Sequence, residues 1–188
     1  MDWAALRSAV AACEGCGLCK TRTQAVFGVG DPDADLMVIG EAPGADEDRQ
    51  GEPFVGRAGQ LLNLMLKAIG LDREQVYIAN ILKCRPPGNR DPRPEEALRC
   101  EPYLMRQIAL VRPRVILSVG RISAQNLLKT GSTIGQLRGQ WQVFGPERVP
   151  LMVTYHPAYL LRSPDQKARA WQDLQQVWRR LREGSGTR

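Results

Sequence analysis

The sequence predicts an α/β protein of three layers, α/β/α, built on a central, mainly parallel four-stranded sheet. Three observations carry this expectation. Four short apolar runs have strand length and β-branched content, stretches of helical periodicity lie between them, and polar or glycine-containing segments gather where the runs end.

The strand-like runs are Leu36–Gly40, Val76–Ile81, Val115–Val119 and Val149–Tyr155. Between the first two, Gly56–Ile69 sets Leu61, Leu62, Met65, Leu66 and Ile69 on one helical face, and Gly70 stops it. A second helix is expected over Pro94–Val111, where Glu95 and Glu96 in the first turn complement the helix dipole. A third begins after Gly120, and the last covers roughly Gln166–Leu181. Alternating strands and helices favour a parallel sheet covered on both faces.

The 188 residues, 43% of them apolar, suit one domain over residues 1–183, with Gly184–Arg188 reading as a frayed tail. Asp2 and Arg7 break the basic start and continuous apolar core that a signal peptide needs. No apolar run approaches the ~18 residues of a membrane span, so a cytoplasmic, monomeric protein is expected. A net charge of +6, from 26 basic and 20 acidic residues, permits a polyanionic partner without specifying one.

Five cysteines in a reducing compartment are poor disulfide candidates. Cys13-x-x-Cys16, joined by Cys84 and Cys100, can supply four thiolates to a metal site. A redox pair or ordinary cysteines are the competing reading. Cys19 extends the first pair toward a ferredoxin-like run, yet Lys20-Thr21-Arg22-Thr23 follows where a further cysteine and proline would stand. Spacing alone leaves zinc and iron–sulfur equally open.

In open α/β sheets the ligand crevice lies outside the carboxyl ends of the strands. The first run empties into Glu41-Ala42-Pro43-Gly44, and the second reaches Asn80. The third ends at Gly120, and the fourth delivers His156, the sole histidine. Polar groups therefore converge on one rim.

Several separated segments carry a resemblance. They are Gly40-Glu41-Ala42-Pro43-Gly44 with Glu47 and Asp48, Pro53-Phe54-Val55-Gly56-Arg57-Ala58-Gly59, and Tyr77-Ile78-Ala79-Asn80. Lys83-Cys84-Arg85-Pro86-Pro87-Gly88-Asn89-Arg90 and Thr154-Tyr155-His156-Pro157-Ala158-Tyr159-Leu160-Leu161-Arg162 complete the set. In order and spacing, from Cys13 to Arg162, the chain resembles the family 4 uracil-DNA glycosylases. The resemblance implies an enzyme of base-excision repair that flips uracil from single- or double-stranded DNA and hydrolyses its N-glycosidic bond. An abasic site would be left, with no magnesium required for the chemistry. It also implies a structural 4Fe–4S cluster on Cys13, Cys16, Cys84 and Cys100, leaving Cys19 spare.

The implied roles can be judged by residue type. Gly40 and Ala42 would border the substrate, Phe54 would stack on uracil, and Asn80 carries the donor and acceptor that suit its N3–H and O4 edge. His156 would donate to O2 as the uracil anion departs. A water must attack the sugar, and Glu47 first, Glu41 second, are the acids expected to place it. Arg85, Asn89, Arg90, Arg138 and Arg162 are candidate DNA contacts, with Tyr159, Leu160 and Leu161 as apolar groups of a loop facing the base stack. Each has a plainer reading: a core Phe, a structural His, a solvated acidic loop, exposed arginines, or the first turn of a core helix at Ala158–Leu161.

Other classes make different demands. A non-catalytic iron–sulfur DNA-binding module has no need of Glu41, Phe54, Asn80 and His156 together, and a redox carrier needs neither Asn80 nor His156. The superfamily branch that captures DNA covalently uses a second histidine, absent here. A family 5 enzyme would lack the acid at position 41.

Overall fold

The computed structural model describes residues 1–183; the expected tail, residues 184–188, lies outside the described residues. Helix α1 (Trp3–Ala11) starts at Asp2, whose carboxylate accepts the Ala5 N–H at 2.9 Å and so satisfies one free donor of the first turn. Next come β1 (Val29–Gly30), β2 (Leu36–Gly40), α2 (Ala45–Gln50), α3 (Arg57–Ala68) and β3 (Tyr77–Asn80). The chain continues through α4 (Pro94–Val111), β4 (Val115–Val119), α5 (Arg121–Leu128), α6 (Ile134–Leu137) and β5 (Trp141–Phe144). It ends with β6 (Val149–Thr154), α7 (Pro157–Arg162) and α8 (Lys167–Glu183).

Among the described residues the sheet has six strands in the order β1-β3-β2-β4-β6-β5. Its centre is the expected parallel set, with β2 paired to both β3 and β4, and β4 to β6. The expected count of four is corrected by two antiparallel edge strands, β1 and β5. β1 has only two residues, too few to show a period. β5 borders solvent, leaving Trp141 37% and Val143 48% exposed, so it lacks the apolar continuity of the central strands.

Alternation along the strands builds the two cores. Leu36 and Val38 join Leu62, Leu66, Leu174 and Val177 from α3 and α8 on one face. Met37 and Ile39 join Leu104, Ile108 and Leu127 from α4 and α5 on the other. The chain leaves β2 toward β3 on one side and returns to β4 on the other. This reversal puts a crevice at the carboxyl ends of β2 and β4. Beneath it, buried Ser123 donates to the Ile39 carbonyl and accepts from Ser118, both at 2.8 Å, tying α5 to the two strands.

Candidate active site

A cavity of about 600 Å³ opens at these strand ends, and Glu41, Glu47, Phe54, Asn80 and His156 all contribute to its wall. Strand register brings Gly40 beside Asn80. A Cβ at position 40 would stand 2.6 Å from both Asn80 Oδ1 and Phe54 Cζ, so only glycine admits the two side chains. Asn80 is 3% exposed, and its Oδ1 is buried with no hydrogen-bond partner among the described residues. An unpaired buried acceptor costs about 1–3 kcal/mol. This one borders a cavity, where a ligand N–H can satisfy it.

Phe54 is buried beside Asn80, and its ring lies 5.6 Å from the His156 ring at 28°. His156 caps the N-terminus of α7, where its Nδ1 accepts the Ala158 N–H at 3.0 Å. Burial, helped by Arg162 and opposed by Glu47, lowers its pKa to about 4. The ring is therefore neutral at pH 7, and with Nδ1 accepting, the proton sits on Nε2 as a donor. Gly120 has φ +94, and a Cβ there would come within 3.0 Å of His156 Cβ. Glycine at position 120 therefore leaves room for the His156 side chain.

The two candidate acids differ. Glu47 accepts Gly44 N–H on Oε2 at 3.1 Å, and the N–H groups of Val55 and Gly56 on Oε1 at 3.0 and 3.2 Å. Its carboxylate thus binds two walls of the cavity together. Asp48 is 5% exposed and accepts the Thr23 N–H at 2.9 Å, so Asp48 is not a solvated acid, whereas the Asp46 side chain is 48% exposed. The Glu41 carboxylate makes no hydrogen bond among the described residues. Burial, then nearby Asp91, raises its pKa to about 6 against the pull of Arg121. Asp91 and Arg121, 3.1 Å apart, escaped the sequence reading because each is an ordinary surface charge until the fold sets them beside Glu41.

The expected DNA contacts divide. Asn89, Arg90, Tyr159 and Arg162 line the cavity, as does Arg57. Arg57 is not among the expected contacts; its sequence signal is a basic residue immediately after Gly56 at a helix start. Arg85 Nε donates to Asn89 Oδ1 at 2.8 Å. Arg90 is bidentate on Glu96, at 2.9 and 2.6 Å. Arg138 is corrected: its guanidinium is bidentate on wholly buried Asp173, at 3.1 and 2.6 Å, which also accepts from Thr154. The segment from Ala158 to Leu161 is helix α7, not a loop. Leu160 is corrected with it, being 1% exposed in the core, whereas Leu161 is 38% exposed.

All five cysteines line a second, smaller cavity formed where the end of α1 and the following turn meet Lys83, Cys84 and the middle of α4. Among the described residues no three ligand groups converge tightly enough for a single metal ion. The thiols instead surround a space. Three of them accept donors: Cys84 from Arg22 at 3.0 Å, Cys100 from the Lys83 N–H at 3.2 Å, and Cys13 from the Gly15 N–H at 3.4 Å. Burial raises the Cys84 thiol and pushes Cys100 up to about 11, while Arg22 and Lys83 respectively oppose it. Such donors favour sulfur that carries negative charge. No described helix is long and apolar enough to cross a membrane.

Comparison with known proteins shows what the chain is similar to. Residues 27–175 match the family model described as the uracil DNA glycosylase superfamily. A type-4 uracil-DNA glycosylase of Archaeoglobus fulgidus is 47% identical over 89% of this chain and 87% of its own length. Relatives of the same name from Sulfurisphaera tokodaii and Saccharolobus solfataricus are 43% and 44% identical. They cover 92% and 88% of this chain, and 81% and 80% of their own lengths.

Proposed function

This chain belongs to the uracil DNA glycosylase superfamily, and we propose that it excises uracil from DNA at the cavity holding Phe54, Asn80 and His156. One observation supports this reading above others: the buried, unpartnered Asn80 Oδ1 beside an aromatic ring and a neutral imidazole donor.

A flipped uracil would slide against Phe54, with its N3–H donated to Asn80 Oδ1 and its O4 accepting the Asn80 amide. Cytosine offers a bare N3 and an amino group along the same edge, leaving donor facing donor and acceptor facing acceptor. A buried site rejects such a mismatch strongly. As the glycosidic bond breaks, negative charge grows on uracil O2. The His156 Nε2–H would stabilise it without transferring a proton, because a ring with pKa about 4 holds no second one at pH 7. Glu47, engaged by three N–H groups, would shape the pocket. Glu41, mostly ionised at pH 7 and free to accept, would orient the attacking water. Arg57, Asn89, Tyr159 and Arg162 at the cavity and exposed Leu161 nearby would meet the DNA.

Cys13, Cys16, Cys84 and Cys100 would hold a 4Fe–4S cluster, since thiols surrounding a cavity suit a group in which each sulfur binds a different iron. When bound, the cluster would supply a cross-link between the N-terminal turn and the segment Lys83–Cys100. Zinc on the same four thiolates is the alternative. We further propose a monomeric, cytoplasmic protein folded as one domain over residues 1–183.

The test is direct. Oligonucleotides bearing one uracil are incubated with the protein without magnesium and then treated with hot alkali. Cleavage only at uracil is expected. Cleavage no greater than a buffer control would return the chain to the non-catalytic DNA-binding reading.

A further inference from the structure

We propose that Arg73 is a positioning residue that holds Phe54 in the backbone conformation required for stacking on the base. The proposal rests on the reading of Phe54 as the uracil platform. Phe54 has φ +54, in the left-handed region that a bulky aromatic residue rarely occupies. Such a conformation is strained and persists only where the surroundings over-determine it. Here they do. Arg73 Nη1 donates to the Phe54 carbonyl at 3.0 Å, and Nη2 donates to the Pro53 carbonyl. The Asn63 side chain accepts from Nη1 at 3.4 Å, steadying the guanidinium against α3.

The next two peptide N–H groups, of Val55 and Gly56, are taken by Glu47 at 3.0 and 3.2 Å. A cation therefore grips the carbonyls at and before Phe54, and an anion grips the amides after it. Gly59 completes the seat, because a Cβ there would lie 1.8 Å from the Phe54 carbonyl oxygen. Arg73 does not line the cavity; it reaches the site through Phe54 and, by charge alone, through nearby Glu47. The Arg73 side chain is 15% exposed, and among the described residues its one ion pair, with Glu52, spans 4.0 Å. A largely buried cation bonded chiefly to main-chain carbonyls would be a poor choice for stability alone. The planar fork suits two successive carbonyls, whereas lysine offers a single point charge.

The experiment compares the full-length protein with R73Q and R73K. It measures kcat and KM on a single-stranded uracil oligonucleotide, inhibition by free uracil, binding of an abasic-site oligonucleotide, and thermal melting. Free uracil reads the base pocket alone, and abasic DNA reads the backbone contacts without the base. For R73Q, the uracil inhibition constant and KM should each rise about tenfold, the factor that 1.4 kcal/mol represents. Abasic-DNA binding should stay within about twofold, and R73K should fall between R73Q and the parent. Unchanged uracil inhibition, or equal losses toward uracil and abasic DNA, would overturn the proposal. Should R73Q fail to fold, R73K decides: a selective loss toward uracil supports the role and no change removes it. A parent protein that neither releases uracil nor is inhibited by it sinks the functional reading itself, a result separable from any variant's behaviour.

Discussion

Gly40 and Asn80 face one another in register across β2 and β3, and a methyl group on the first would stand 2.6 Å from the amide oxygen of the second. Asn80, the group proposed to read uracil, is thus seated by a missing side chain on the neighbouring strand. Asn80→Asp replaces the amide donor by a second acceptor. Uracil excision should fall by about 10²-fold, from the lost bond and the unpaired uracil O4 together. Excision kinetics on uracil and cytosine oligonucleotides give the answer; unchanged uracil excision removes Asn80 from the site.

His156→Ala should lower single-turnover excision by about 10²–10³, the usual loss for one donor to a developing anion, with DNA binding retained. The same residue predicts a stability slope. Its folded pKa, about 4, lies below the ordinary 6.5, so the unfolded chain binds the extra proton first as pH falls. The parent should lose up to about 1.4 kcal/mol per pH unit between pH 6.5 and 4 from this group. The variant should lack that increment, as denaturant melts across the window would show.

Glu41 predicts an activity limb. Burial and Asp91 hold its pKa near 6, so excision should rise with pH through that value as the carboxylate forms. Glu41→Gln should abolish the limb and slow excision. Because the folded pKa is raised, ionisation above it destabilises the fold, and Glu41→Gln should be at least as stable as the parent above pH 6. A limb that persists in the variant would assign it to another group.

The cysteines can be told apart without an activity assay. Cys84→Ser and Cys100→Ser should lose visible iron–sulfur absorption and melting temperature, whereas Cys19→Ser should retain both. Chelation of iron from the parent should reproduce the first two. Loss of absorption in Cys19→Ser would require a different ligand set.

Much of the fold is legible in the chain. The four central strands follow from apolar, β-branched runs of the right length, and α4 follows from its periodicity and acidic first turn, because period and local charge are properties of neighbouring residues. The rim of Glu41, Asn80 and His156 follows equally, since strand ends in a parallel sheet must share one edge. Other features have no local signature. Leu160 and Leu161 are identical residues one position apart, and only the packing of α7 decides that the first is core and the second surface. Arg138 resembles any basic loop residue until Asp173, 35 positions later, closes on it. Nothing in Pro53-Phe54-Val55 announces a left-handed aromatic, and the Arg73 that sustains it lies 19 residues away. The four central strands and the polar rim were thus determined by the chain alone. The conformation of the platform, the state of His156 and the company of Arg138 were decided by tertiary structure. They depend on burial and on partners that folding brings together from distant parts of the chain.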